Sequence, residues 1–141
     1  MIVCLDTNAL VQALAEGHPF HRILDAWVAG EVTWALSTEV LLEYEEVITR
    51  LSGTGRWRKL ARLMDLAEMT NGNILRVTPS FHFHIVTADP DDNIFADCAI
   101  TAGANYLITE DRHFAALAEA GYKPQPITSG EFIARVLTHP S

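Results

Sequence analysis

Short, continuous apolar runs alternate along the chain with longer stretches in which apolar residues recur every three or four positions. Ile2 to Leu5 is apolar throughout and stops at Asp6, the pattern of a strand buried on both faces in a parallel sheet. Asn8 to Ala15 predicts a short helix, stopped by Gly17-His18-Pro19. Phe20, Ile23, Leu24 and Trp27 then recur at helical spacing up to Gly30. Val32 to Leu36 predicts a second strand, with Ser37 or Thr38 as the N-cap of the next helix.

From Glu39 to Leu51 the residues Val40, Leu41, Tyr44, Val47, Ile48 and Leu51 line one helix face. Glu43 sits beside that stripe, whereas Glu45 and Glu46 fall on other angles. Ser52-Gly53-Thr54-Gly55 breaks the chain before a further amphipathic helix marked by Trp57, Leu60, Ala61, Met64 and Ala67, which ends near Asn71-Gly72. Arg56, Arg58, Lys59 and Arg62 occupy its other face. Ile74 to Thr78 reads as a third strand, closed by Pro79. Phe81-His82-Phe83-His84 has no readable period, and Asp89 to Asn93 reads as a turn in which Asp91 or Asp92 can cap a helix from about Asn93 to Ala102. Gly103 ends that helix, Asn105 to Thr109 is a strand, and Asp111 follows it. A helix from His113 to Ala120, a short strand from Gln125 to Ile127, and a capping-box pair of Thr128 and Glu131 ahead of Phe132, Ile133, Val136 and Leu137 complete the pattern.

This alternation, without repeats or linkers, predicts one domain over residues 1–141: an α/β fold of three α/β/α layers around a mostly parallel central sheet. Ligands of such sheets bind outside the carboxyl ends of the strands, where the order of elements places Asp6 and Asp111.

Composition changes this picture only at the margins. With 141 residues, 49% hydrophobic and 20% charged, the chain has the profile of a globular protein with a substantial core. No apolar run approaches the ~20 residues of a bilayer span, and the N-terminus lacks a basic leader region, so the expectation is a cytoplasmic protein with no membrane partner. Cys4 and Cys98 lie in apolar segments and read as buried free thiols, and no Cys/His spacing of a zinc site is present. The net charge of −8 argues against a surface that simply condenses on nucleic acid, unless some of the acids are metal ligands and a divalent cation inverts the local field.

Asp6, Glu43, Asp92 and Asp111 acquire a common address in this arrangement, with no Lys or Arg interleaved. Without a cation they would repel one another and their pKa values would rise. Mg²⁺ or Mn²⁺ resolves the repulsion, because hard cations take carboxylate oxygens, and such ions activate water and stabilise charge on phosphate. Phosphodiester hydrolysis is the reaction that fits. The alternatives stand beside it: Asp6 as a plain helix cap, Asp92 as turn chemistry, Glu45 or Glu46 as the helical acid, and Asp97 as an outside candidate or a solvated residue. The histidines read as surface or loop residues, and Trp27, Trp34 and Trp57 as core or interface.

Four phrases, in this order and spacing, resemble the PIN domains, and among them the single-domain PIN toxins of bacterial toxin-antitoxin pairs. They are Leu5-Asp6-Thr7-Asn8; Leu41-Leu42-Glu43-Tyr44 with Val47-Ile48; Asp89-Pro90-Asp91-Asp92-Asn93 with Phe95 and Ala99; and Tyr106-Leu107-Ile108-Thr109-Glu110-Asp111. The resemblance runs from Met1 to about Leu137. It implies a metal-dependent endoribonuclease with Asp6, Glu43, Asp92 and Asp111 as the acidic cluster, and with Asn8 and Thr109 orienting the acids. It also implies an RNA substrate, a small antitoxin partner and a homodimer. Two other classes compete. A catalytically silent PIN-like module that binds RNA or protein has no reason to retain the acids together, and a receiver- or phosphatase-like domain wants a Lys near its last strand, where neither Lys59 nor Lys123 directly follows a predicted strand.

Overall fold

A computed structural model describes residues 1–80, 93–119, 121 and 123–137 of the chain. Strands β1 (Ile2–Leu5), β2 (Thr33–Leu36), β3 (Ile74–Arg76), β4 (Tyr106–Ile108) and β5 (Gln125–Ile127) form a sheet in the order β3-β2-β1-β4-β5, every pairing parallel. Helices α1 (Thr7–Leu14), α2 (His21–Val28), α3 (Thr38–Ser52), α4 (Thr54–Asn71), α5 (Asn93–Ala102), α6 (Ala115–Glu119) and α7 (Ser129–Arg135) flank it to give three α/β/α layers. The sheet, expected to be mostly parallel, is wholly so among the described residues.

Central β1 explains its own composition. It is hydrogen-bonded on both sides and covered on both faces, so Val3, Cys4 and Leu5 are all buried and none alternates to solvent. The pairs Val3 with Tyr106, Cys4 with Leu107 and Leu5 with Ile108 set β4 beside it in register, so both strands end at one edge. At the opposite edge Asn105 pins the two together: its side chain accepts from the Ile2 N–H at 2.9 Å and its own N–H donates to the Ile2 carbonyl at 2.8 Å.

An aromatic series runs through the core, from Trp27 on α2 to Trp34 on β2, Tyr44 on α3 and Phe95 on α5. Trp27 and Trp34 meet edge to face at 4.9 Å, a contact that contributes about 0.5–1.5 kcal/mol beyond simple burial. Trp27 and Trp34 are therefore core residues, and only Trp57 is partly open to solvent. Asn73, between α4 and β3, is buried and joins the end of α2 to the start of β2. Its amide donates to the carbonyls of Trp27 at 2.6 Å and Val32 at 3.0 Å.

Local chemistry sets the helix ends. Ser37 caps α3 by accepting from the Val40 N–H at 3.2 Å, and Thr128 caps α7 by accepting from the Glu131 N–H at 3.1 Å. The Glu131 carboxylate accepts from the Thr128 hydroxyl rather than from its backbone N–H, a variation on the expected capping box. Between α3 and α4 the break is shorter than the sequence suggests. Gly53 alone, with φ of 91°, reverses the chain, and Thr54 and Gly55 already belong to α4. The helix expected from His113 is replaced by a 3-10 turn at Arg112–Phe114 that runs into α6.

Candidate active site

In the order β3-β2-β1-β4-β5 the chain builds outward from β1 in one direction and then returns to place β4 on its other side. The boundary between β1 and β4 is therefore the topological switch point, where the carboxyl ends of parallel strands open a crevice. Asp6 follows β1 at that point, and Thr109 follows β4.

Asp6 is held from three directions. Its N–H donates to the Ile108 carbonyl at 3.1 Å, carrying the ladder one residue past the strand. Carboxylate atom Oδ1 accepts from the Ala9 N–H at 2.8 Å, so Asp6 is the N-cap of α1. Atom Oδ2 accepts from the Thr109 hydroxyl, whose oxygen in turn accepts from the Asp111 N–H at 2.9 Å. Capping and site placement are thus compatible: one carboxylate oxygen serves the helix and the other faces β4. Asp6 and Thr109 are only 5% and 4% exposed, so this relay lies in a low-dielectric setting in which hydrogen bonds are strong and geometry is restricted. The Asp111 side chain, half-buried, lies two residues beyond Thr109 on the same edge.

The other candidates approach with different degrees of definition. Glu43 is half-buried on α3, while Glu45 and Glu46 are exposed, which separates the three acids of that helix. Its neighbour Tyr44 reaches the site directly: the phenol donates to the carbonyl of Leu5, the residue before Asp6. Burial first, and then the nearby Cys4 thiol, push the Tyr44 phenol well above its ordinary pKa, so it stays a neutral donor. Asn8 is exposed in the first turn of α1. Asp97 is 2% exposed on α5, not on a solvated face. Asp92 lies outside the described residues, as does the whole turn from Asp89; α5 begins directly after it at Asn93. The N-terminal part of α5 is at the carboxyl edge, because Phe95 contacts Tyr44 and its carbonyl is 3.9 Å from the Cys4 thiol, while Ala104 after the helix bonds back to Ala99 near the opposite edge.

Tyr44 and Thr7 are the residues that pattern reading passed over. Tyr44 counted only as a member of the apolar stripe, although a Tyr rather than a Phe at a buried position signals a partner for its hydroxyl. Thr7 Oγ1 is buried beside Asp6 without a hydrogen-bond partner among the described residues. The donors described at this edge are oxygens: the carboxylates of Asp6 and Asp111 and the hydroxyls of Thr7 and Thr109. Oxygen donors of this kind suit a hard divalent cation. Among the described residues, no three His, Cys, Asp or Glu side chains form a group that could hold an ion by themselves.

A family model described as PIN domain matches residues 2–113, which include the strands and helices that build this edge. No significant match to a curated protein or to a solved structure accompanies it.

Proposed function

This chain belongs to the PIN domain family, a nuclease-type fold, and from that premise we propose that it is a Mg²⁺- or Mn²⁺-dependent endoribonuclease acting as the toxin of a type II toxin-antitoxin pair. The observation that carries the reading is the relay from Asp111 through Thr109 to Asp6 across the switch point. It fixes a carboxylate at the place where a parallel sheet receives its ligand.

In this reading Asp6, Glu43, Asp92 and Asp111 hold the cation. When bound, the cation lowers the pKa of a coordinated water and neutralises charge on the phosphate. The chain's own contribution is orientation. The Ala9 N–H and the Thr109 hydroxyl hold the two oxygens of Asp6, and the Asp111 N–H prevents the Thr109 hydroxyl from turning away. Tyr44 anchors the Leu5 carbonyl, so α3, which carries Glu43, is held at a fixed height over the end of β1. Hydrolysis consumes one water and breaks one phosphorus–oxygen bond of the RNA backbone. A small antitoxin that covers the carboxylate edge, and a homodimer, complete the proposal.

The test is cleavage of a structured RNA by purified protein, with and without Mg²⁺ or Mn²⁺, beside the Asp6→Asn variant. The expected outcome is metal-dependent products from the wild type and a loss of about 10³-fold in the variant, the scale on which a preorganised charge-stabilising group acts. Equal cleavage by both proteins sinks the assignment. RNA binding without cleavage in either metal identifies a silent module instead.

A further inference from the structure

The charges of this chain are unevenly distributed. Residues 47–64 carry five of its ten Lys and Arg, namely Arg50, Arg56, Arg58, Lys59 and Arg62, and none of its eighteen Asp and Glu. The fold gathers them at one place, because α3 ends at Ser52 and α4 begins at Thr54 with only Gly53 between. Arg50, in the last turn of α3, thereby joins the four cations of α4. All five are exposed. Among the described residues, ion pairs take up Arg22, Arg76 and Arg135, while Arg50, Arg56, Arg58, Lys59 and Arg62 enter none.

The folding of α4 does not ask for this pattern. Cations in its first turns oppose the positive end of the helix dipole, and no acid stands there to offset them. Arg58 and Arg62 are like charges four residues apart, a spacing that is unfavourable on a helix. A solvated helix face usually interleaves or pairs its charges, as the later part of α4 does where Asp65 and Glu68 meet Arg76 of β3. A cluster that costs the helix stability, in an otherwise acidic chain, fits an external polyanion.

Position identifies the polyanion. Arg56 is the one member tied to the body of the protein: its guanidinium donates to the Leu14 carbonyl at 2.8 Å, at the far end of α1 from Asp6. At a rise of 1.5 Å per residue the eight residues of α1 separate the two ends by about 12 Å. That is the length of about three to four nucleotides at the ~3.4 Å rise of a stacked strand. At that far end, against Arg56 itself, lies a cavity of about 280 Å³ lined by Val11, Leu14, Ile48, Leu51 and Arg56 among others. Its apolar walls and flat guanidinium are the surroundings that an unpaired base takes, stacked on the cation.

We propose that single-stranded RNA runs from the carboxylate edge along α1, seats one base in the cavity beside Arg56, and lays its following phosphates on Arg50, Arg58, Lys59 and Arg62 at the α3–α4 turn. The direction of this path rests on the nuclease reading; the binding surface does not. It reconciles a net charge of −8 with an RNA substrate, because affinity is concentrated in one basic island at the α3–α4 turn.

The test uses the full-length Asp6→Asn protein, which leaves RNA uncut, and a fluorescent oligouridine of about 12 nucleotides, within the ~4–16-nucleotide range of single-strand sites. Anisotropy is followed over a range of KCl concentrations for this protein and for one that also carries Arg50→Gln, Arg58→Gln, Lys59→Gln and Arg62→Gln, with matched melting midpoints confirming that both are folded. The island variant is expected to bind at least ~10-fold more weakly at low salt. Its slope of log affinity against log salt falls by about 2 to 3, since each single-strand phosphate contact contributes ~0.7. Arg135→Gln, on α7, is expected to leave both quantities unchanged. An unaltered affinity and slope in the island variant, no binding by the parent, or displacement of the RNA by polyglutamate of equal charge at equal concentration each overturns the proposal. Its failure is distinguishable from that of the nuclease reading: an island-dependent binder that cuts nothing in either metal refutes cleavage alone, and an island variant that binds and cuts like the wild type refutes the path alone.

Discussion

The carboxyl edge of β1 and β4 and the turn between α3 and α4 are opposite in every physical respect. At the edge, Asp6 and Thr109 are buried, close in space though 103 positions apart in sequence, and their side-chain oxygens are all hydrogen-bonded. At the turn, five cations fall within one short stretch, exposed to water, and none of the five enters an ion pair among the described residues. The edge depends on tertiary register, so a change there alters geometry and chemistry together. The turn depends only on helix geometry, so a change there alters charge and little else. Chemistry and affinity are assigned to separate parts of one small fold, and substitutions are expected to separate them.

Asp6→Asn has the largest expected effect on cleavage, about 10³-fold, with RNA affinity retained. If affinity collapses as well, the two regions are not separable. Thr109→Val keeps the shape and removes the hydroxyl that holds Asp6 Oδ2. Activity is expected to fall by about 10- to 100-fold, as for other residues that orient metal ligands, and the metal concentration for half-activity to rise with it. A loss that does not move with metal concentration would identify Thr109 as purely structural. The glutamine variant of the island comes next: at least ~10-fold weaker RNA binding, a flatter salt dependence, and an unchanged rate at saturating RNA.

Stability effects are smaller and test the frame beneath the comparison. Tyr44→Phe leaves the Leu5 carbonyl without its donor, at a cost of about 1–3 kcal/mol at neutral pH, measurable by urea titration. The sign of its pH dependence comes from the raised phenol pKa. The folded chain keeps Tyr44 protonated while the unfolded chain ionises it near pH ~10, so the wild-type advantage is complete below that pH and declines as pH rises beyond it. The gap between Tyr44→Phe and wild type should therefore narrow in alkali. Glu68→Gln has the least effect. Glu68 holds Arg76 by a double hydrogen bond, which lowers the carboxylate pKa on an exposed surface. Its small contribution is present above the ordinary carboxylate range and disappears as pH falls through the lowered pKa. RNA binding should not change, because Arg76 lies on β3 outside the island and keeps Asp65 as a partner; a change would extend the island to β3.

Much of this was legible in the sequence because burial imposes a pattern. A strand that must be apolar on both faces reads as a continuous run, and Ile2 to Leu5 could be placed at the centre of a parallel sheet for that reason. The acid after each of β1 and β4 was visible as well, since strand order alone sends both to one edge. Less legible were the features with two jobs. Asp6 is both a helix cap and a member of the edge, and local sequence offered these as alternatives because it shows the cap but not the second oxygen's partner. The four-residue break at Ser52 to Gly55 suggested a loop, yet one residue with positive φ suffices, since the first N–H groups of a helix need no intrahelical acceptor.

The sequence by itself determined the layer architecture, the candidate acids and the basic run from Arg56 to Arg62, because hydrophobic period, turn chemistry and charge are local properties. Only the tertiary structure decided that β1 and β4 meet at the switch point with Thr109 bonded to Asp6, that Tyr44 anchors the residue before that acid, and that Arg50 lies with the cations beyond the turn. Those are choices of strand order, register and helix reversal. They depend on which distant surfaces bury each other, and no stretch of the chain carries that information alone.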